Sequence, residues 1–384
     1  MLGSMVFLDV NSFLSPRGGG ARTYHLHKAE WFANQPRHKY VILGPGTGPG
    51  EMELGEGRRF HTGWGIPYGK EKNYRFLLGL EEADKLIERE RPEVLEIGDP
   101  WFSARWSRRR TDVVRTCLWH SDPHTAYLEP WAALGRPWRK WVSRMVLGKV
   151  DQWHRHFDLI WCASEWVADL LRKRGYPNVR RLQFGIDKNR FRPGAATPEI
   201  FSRFGLDPSR PVLLYAGRLD FEKGVETLYR AVPMLTRLQG RPQVLVTGRG
   251  EWAERFSSMD LPGFAYGGFL GREDLAAVVA SSTLMVSTCS VETFGLGVLE
   301  SICSGLPVVS CQGGGAGEQI RESKAGTLYP DQDVVGLLGA VESAMERREE
   351  LSKNAMAWRA TWPTWDDMFA FQTRTCEELA HARW

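Results

Sequence analysis

Two doubly wound α/β domains are what this sequence predicts, and three observations carry that expectation. Short apolar runs alternate with amphipathic segments along most of the chain, the pattern of the βαβ units that build parallel sheets. The alternation comes in two series that part near Asp187–Gly194, where Arg192-Pro193-Gly194 has the composition of a linker. The length, 384 residues, suits two domains at roughly 150 residues each.

The first series places strands at Met5–Val10, Lys39–Leu43, Val94–Ile97, Thr116–Trp119, Leu159–Cys162 and Val179–Leu182. Helical spacing falls at Ala21–Phe32, Glu81–Arg91, Val167–Arg174 and along Trp131–Phe157. The stretch Gly44–Gly50 carries two prolines and leads into no helical period. It reads as a flexible loop, since a dinucleotide fingerprint needs a helix directly behind it. The second series places strands at Pro211–Tyr215, Gln243–Val246, Phe264–Ala265, Leu284–Ser287 and Pro307–Ser310. Helices are expected at Val225–Arg237, Asp274–Ala280, Gly297–Ser304, Val334–Ala344 and Trp365–Leu379. Asp331 and Asp333 have a spacing that can hold a cation, but Asp333 opens an amphipathic run, and a helix N-cap is the simpler reading. The expected division is 1–188, completed by 364–384, and 189–363.

Composition narrows the function. Hydrophobic residues make up 42% and charged residues 25%, ordinary for a globular chain, and no apolar run reaches the ~18–20 residues that cross a bilayer. Met1–Ser4 lacks a basic-then-apolar secretory pattern and reads as an added leader before Met5. The cysteines at 117, 162, 289, 303, 311 and 376 form no CxxC pair, so scattered thiols in a reducing, cytoplasmic compartment are expected. Charge is unevenly spread. Residues 1–190 hold 31 Lys/Arg against 22 Asp/Glu, and the remainder is acidic with 19 against 24. Residues 101–155 hold 11 basic and 4 acidic side chains together with seven of the sixteen tryptophans. Such a segment suits an anionic lipid surface or nucleic acid, or is a basic solvated face over a Trp-rich core. Nucleic acid is disfavoured as a partner, because no zinc, helix-turn-helix or RNP-type signature accompanies the charge.

Candidate chemistry begins at Gly18-Gly19-Gly20, behind the first strand and ahead of a helix. There, backbone amides could approach an oxyanion at the positive helix end, or the glycines could simply make a tight turn. The second half is richer. Arg218 and Lys223 lie five residues apart in the loop after a strand, and a guanidinium fork plus a point charge match a diphosphate. Further on, Glu292 and Glu300 bracket a glycine-containing loop that enters a helix. Loop amides can meet a phosphate there, and each carboxylate can accept hydrogen bonds from vicinal sugar hydroxyls.

With Gly217-Arg218, Lys223-Gly224, Gly248-Arg249-Gly250, Glu292, Glu300 and Ser304-Gly305-Leu306-Pro307-Val308-Val309 in that order, the chain resembles the retaining glycosyltransferases of family 4, which have the GT-B fold. The likeness is dense from about Leu213 to Ile320 and loose between Thr47 and Arg115. Gly268-Phe269-Leu270 with Leu275 is similar to the family element that sets backbone against the nucleobase. Gly18–Gly20, His120 and Gln183–Asp187 look like its glycine loop, acceptor-side histidine and domain junction. Two departures stand out: Ser301–Ser304 replaces the usual alanine-rich turn, and the loop Gly313–Gly317 reads as enlarged.

The resemblance implies two facing Rossmann-like domains with ligand in the cleft, a hinge at Gly185–Gly194, and a last helix crossing back onto the first domain. It implies transfer of a hexose from a UDP- or GDP-sugar, with retention, to a saccharide or lipid acceptor. By the same resemblance His120, Arg218, Lys223 and Glu292 are catalytic. Gly19, Leu270, Phe294, Gly295, Leu296 and Glu300 join Arg218 and Lys223 in holding the donor, and Gly18, Gly20 and Arg22 face the acceptor. No cofactor and no metal are expected, since Arg, Lys and amides supply the positive charge. A nucleotide-sugar epimerase or sugar-phosphate synthase of the same fold is the alternative. The basic, Trp-rich segment 131–157 suggests a peripheral enzyme on the inner face of an anionic membrane.

Overall fold

A computed structural model of the chain describes residues 4–14, 19–55, 57–68, 74–78, 80–98, 102–109, 111–124 and 137–383. It divides into two compact units, residues 1–184 with 365–384, and residues 185–364.

In the first unit the strands are β1 (Met5–Val10), β2 (His38–Gly46), β3 (Gly50–Gly55), β4 (Arg58–Tyr68), β5 (Tyr74–Leu77), β6 (Val94–Ile97), β7 (Val114–Trp119), β8 (Leu159–Cys162) and β9 (Val179–Arg181). Their order is β3-β4-β2-β1-β6-β7-β8-β9, with β5 paired to β4. Among the described strands, only β3 and β5 run opposite to the rest, each antiparallel to β4. Helices α1 (Gly20–Ala33), α2 (Leu80–Glu90), α3 (Trp106–Arg109), α4 (Pro137–His154) and α5 (Glu165–Lys173) connect the strands. The period of two is visible in β1: Leu8 and Val10 enter one buried cluster, Met5 and Phe7 the other. The C-terminal helix Trp365–His381 adds Cys376 and Ala380 to that second cluster.

The stretch read as a flexible loop is different in the structure. β2 continues through Gly46, and β3 begins at Gly50. The glycines serve strand packing: a Cβ at Gly44 would fall 2.9 Å from the Phe60 ring, and one at Gly46 2.6 Å from the Thr62 Cβ. Strands β3, β4 and β5 were therefore not anticipated, because glycine and proline interrupt their apolar pattern.

Beneath α1 lies a sealed polar network. Lys28 Nζ donates to Asp9 Oδ2 at 2.7 Å and to Glu96 Oε1 at 2.8 Å. Tyr24 donates to Glu96 Oε1 at 2.8 Å, Gln372 Nε2 to Glu96 Oε2 at 2.7 Å, and Tyr40 to Asp9 Oδ2 at 2.7 Å. Burial works against both carboxylates: at Glu96 it prevails and raises the pKa, whereas at Asp9 the Lys28 ammonium together with His25 holds the carboxyl below its usual range. Gln372 thereby fastens the C-terminal helix to α1 and β6.

The second unit holds β10 (Val212–Ala216), β11 (Gln243–Thr247), β12 (Phe264–Gly268), β13 (Leu284–Ser287), β14 (Val308–Cys311) and β15 (Gly326–Tyr329). All pairs are parallel, in the order β12-β11-β10-β13-β14-β15. Helices α6 (Val225–Leu235), α7 (Ala253–Ser257), α8 (Arg272–Ser281), α9 (Leu296–Cys303), α10 (Gly314–Ser323), α11 (Val334–Glu346) and α12 (Arg348–Thr361) complete it. One buried cluster joins Leu228, Val232, Leu337 and Val341, and another joins Val278, Val298, Ile302 and Ile320. Asp333 caps α11, its Oδ1 accepting from the Gly336 amide at 2.9 Å. The strand order reverses between β10 and β13, the topological switch point at which open α/β sheets bind ligands.

Candidate functional site

Both loops at that switch point carry candidate residues. The first leaves β10 through Gly217 and Arg218 and makes a turn at Phe221–Lys223 that ends on Gly224, whose φ is 65°. Gly224 packs backbone to backbone against Thr288, where a Cβ would collide with the Thr288 carbonyl. Thr288 Oγ1 donates to the Lys223 carbonyl at 2.7 Å, and Cys289 Sγ to the Glu222 carbonyl at 3.1 Å. The turn bearing Lys223 is thus bolted to the loop after β13.

That contact brings two predicted residues together: Lys223 Nζ donates to Glu292 Oε2 at 2.8 Å. The pair stays partly open, with side-chain exposures of 19% and 22%. Burial alone would neutralise both groups, yet each holds its partner charged. The Lys223 ammonium is stabilised above its usual range by the Glu292 carboxylate, and Glu292 is held below its own by Lys223 and more weakly by Arg218. Arg218 is engaged differently from what a phosphate role alone suggests. Its guanidinium lies 2.6 Å from Asp220 Oδ2 and 2.5 Å from Glu222 Oε1, both within its own loop.

After Glu292 the chain reaches Gly295, at φ 93°, and enters α9. The amides of the first turn lack intrahelical acceptors and form a positive end. Phe294 buries its ring, stacked near Trp362 at 6.4 Å, so its backbone is what the loop offers. Gln319, buried on α10, donates to the Phe294 carbonyl at 2.6 Å and fixes the loop from below. The run Gly313–Gly317 is not an enlarged loop as its composition suggested. It forms the start of α10, and its missing side chains let that helix touch the 290–294 backbone: a Cβ at Gly313 would lie 2.5 Å from the Ser290 carbonyl oxygen, and one at Gly315 2.6 Å from that of Thr293.

Glu300 faces outward from α9, partly buried. Burial lifts its pKa to about 7, against the lowering charges of Arg272 and Arg190. Leu270 is half-buried against the same side of the unit.

In the first unit Gly19, at φ 94°, is the exposed N-cap of α1, and Gly20 begins the helix. No acidic side chain lies in the first turn to offset its positive end. Arg22 extends from that turn to Gly55 of β3, close enough that a Cβ there would meet its guanidinium. His120 is half-buried just past the C-terminal end of β7. Gly18 lies outside the described residues. Sequence reasoning missed the supports Thr288, Cys289 and Gln319. Cys289 and Thr288 sit just ahead of Glu292, but their partners Glu222 and Lys223 are 67 and 65 residues away.

Residues 18–190 match the profile of glycosyltransferase family 4, and residues 196–358 that of glycosyl transferases group 1. A GDP-mannose-dependent α-mannosyltransferase of Corynebacterium glutamicum is 25% identical over 292 residues, covering 74% of this chain and 65% of its own length. One of the same name from Mycobacterium tuberculosis is 26% identical over 349 residues, covering 86% and 85%. Among solved structures, sucrose-phosphate synthase from Thermosynechococcus elongatus superposes with a TM-score of 0.79 at 19% identity, over 98% of this chain and 99% of that one. Anabaena HepE in complex with UDP-glucose gives 0.72 at 16%, over 98% and 100%.

Proposed function

We propose that this chain, which belongs to the family 4 type of GT-B glycosyltransferases, transfers a hexose from a nucleoside-diphosphate sugar to an acceptor hydroxyl with retention at the anomeric carbon. The observation that carries the reading is the Lys223–Glu292 pair beside the open helix end at Gly295, on the switch point of a doubly wound sheet. Lys223 keeps its charge at every working pH and meets the departing diphosphate. The amides of Phe294, Gly295 and Leu296, with Arg218, add donors aimed at the same oxygens. Preorganised charge of this kind often supplies the largest share of rate enhancement. Glu292 accepts from a donor-sugar hydroxyl, Glu300 from the ribose, and His120 from or to the sugar. The bond from anomeric carbon to phosphate oxygen breaks as the acceptor oxygen bonds on the same face, and the acceptor proton passes to the leaving phosphate. No protein nucleophile takes part.

Because Arg218, Lys223 and amides neutralise the leaving group, the reaction is proposed to need no metal. Full activity is expected after exhaustive EDTA treatment, and activity restored by magnesium or manganese would return Asp331 and Asp333 to the site. The reading itself is tested by incubating the protein with labelled UDP- and GDP-hexoses and candidate acceptors, and taking NMR spectra of the products. An anomeric configuration equal to that of the donor supports it, and inversion or bare epimerisation refutes it.

The acceptor is proposed to be a lipid or lipid-linked saccharide, reached from an anionic membrane surface on the cytoplasmic side. What supports this is the outer face of α4. Trp138, Trp141 and Met145, at i, i+3 and i+7, are 51%, 61% and 48% exposed, while Val150 and His154 turn into the core. Lys140, Arg144, Lys149 and Arg155 flank them, each exposed. The ribbon β4–β5 carries a second apolar face, with Trp64, Ile66 and Leu78 exposed. No helix among the described residues is long and apolar enough to cross a membrane, so attachment would be peripheral. Each basic residue contributes roughly 1 kcal/mol at such a surface. Sedimentation with anionic but not neutral vesicles, weakened by salt and by Arg139→Glu with Arg144→Glu, is expected. No sedimentation at low salt would favour a soluble acceptor.

A further inference from the structure

The nucleotide reading leaves one cation of the second unit without a task. Arg249 lies between Gly248 and Gly250, at the C-terminal end of β11. Gly248 has a φ of 135° and approaches Gly217 so closely that a Cβ would overlap its carbonyl, which fixes the backbone here. The Arg249 carbonyl accepts from the Leu219 amide at 2.8 Å, and the Gly248 amide donates to the Gly268 carbonyl at 2.7 Å. Arg249 is therefore held beside the loop of Arg218 on one side and the end of β12 on the other. Its guanidinium sits 4.9 Å from the ring centre of Phe269, which is itself 52% exposed. Among the described residues it makes no ion pair and no side-chain hydrogen bond, unlike Arg218 with its two carboxylates. Stacking occupies the face of a guanidinium and leaves its in-plane N–H donors available.

We propose that Arg249 and Phe269 form the base-reading element of the donor site and that the base is guanine. The proposal rests on the nucleotide-sugar reading, which sets the diphosphate at Lys223 and the ribose at Glu300. Arg272, whose charge acts on Glu300, stands two residues after Leu270, so the ribose end of the nucleotide lies toward β12. The base then falls at the ends of β11 and β12, over Phe269. Guanine presents two adjacent acceptors, O6 and N7, which a guanidinium fork matches in a bidentate contact. Adenine sets an amino donor beside N7, and the two carbonyls of uracil are separated by the N3–H donor, so neither has an acceptor next to it. A purine also overlaps an aromatic ring more fully than a pyrimidine does.

Titration calorimetry of the full chain with GDP, UDP and ADP tests this, with circular dichroism to check that Arg249→Ala and Phe269→Ala remain folded. GDP is expected to bind tightest. Arg249→Ala should weaken GDP about tenfold or more and UDP by about twofold at most, the scale of a lost bidentate base contact. Phe269→Ala should weaken GDP more than UDP. Equal losses for GDP and UDP in Arg249→Ala would make Arg249 a phosphate contact and overturn the proposal, as would a wild-type preference for UDP or ADP. Those two results leave the nucleotide-sugar reading standing. Failure of all three nucleotides to bind the wild-type protein would overturn both.

Discussion

Two lysine–carboxylate pairs, one in each unit, have nearly the same length and opposite surroundings. Lys28 lies 2.7 Å from Asp9 and 2.8 Å from Glu96, with all three side chains at most 4% exposed. Lys223 lies 2.8 Å from Glu292, with about a fifth of each side chain open. Around the first pair, Tyr24 and Tyr40 share the oxygens that Lys28 holds and Gln372 donates to Glu96 Oε2, while Asp9 Oδ1 stays buried without a hydrogen-bond partner among the described residues. Around the second, the amides of the first turn of α9, behind Gly295, have no side-chain cap and no intrahelical acceptor. A charge enclosed by its own fold is architecture, whereas a charge paired on one side and partly open is available to a ligand. The distance between the partners says nothing about which is which.

Removing each lysine should separate these roles. The largest effect is expected at Lys28→Ala, which strands two buried carboxylates and should cost about 3–5 kcal/mol of stability in urea unfolding. Next, Lys223→Ala and Glu300→Ala should each lower transfer by at least about a hundredfold, the scale of losing a preorganised charge contact. Their unfolding midpoints should stay close to wild type. Near-normal rates in both, with folding intact, would remove these residues from the site.

A smaller effect sharpens the role of Glu300. Its pKa of about 7 lies above that of an unfolded glutamate, so in the empty protein the carboxyl is largely protonated below neutrality. Ribose hydroxyls donate to the ionised form, and binding must therefore pull that pKa down. Nucleotide affinity should rise with pH from about 5 to 7 and level off above it. The same titration with Glu300→Gln corrects for the phosphates of the ligand and should lack the difference. Smallest of all, Asp333→Ala should cost about 1 kcal/mol through the lost N-cap of α11, with no change in transfer.

How much of this was legible in the sequence depended on local pattern. β1, β6, β8 and β13 appear where their apolar runs were, because each is buried on both faces and reads as an unbroken block. β3 to β5 escaped because Gly44, Gly46 and Gly65 serve close backbone packing, which looks the same in sequence as a loop. The helix start at Gly313–Gly317 escaped for the same reason. Asp9, Lys28 and Glu96 gave no signal, since a charged residue in a strand or helix normally marks the solvent face and their partners lie up to 276 residues away. Lys223 and Glu292 were visible as motif members because ligand chemistry dictates their types. Their direct pairing was not, as it depends on the Gly224–Thr288 contact across the switch point. The tryptophans of α4 divided in a way that composition could not reveal: Trp153 packs on the core, while Trp138 and Trp141 stay exposed.

The central claim is that the open pair at the switch point holds the diphosphate of a nucleotide sugar. It is tested most directly by calorimetric titration of wild-type protein, Lys223→Ala and Lys28→Arg with GDP- and UDP-hexoses under conditions where all three are folded. Saturable binding is expected for wild type and for Lys28→Arg, with a loss of about a hundredfold in Lys223→Ala. Binding by Lys223→Ala that matches wild type, or no binding by wild type at all, would contradict it.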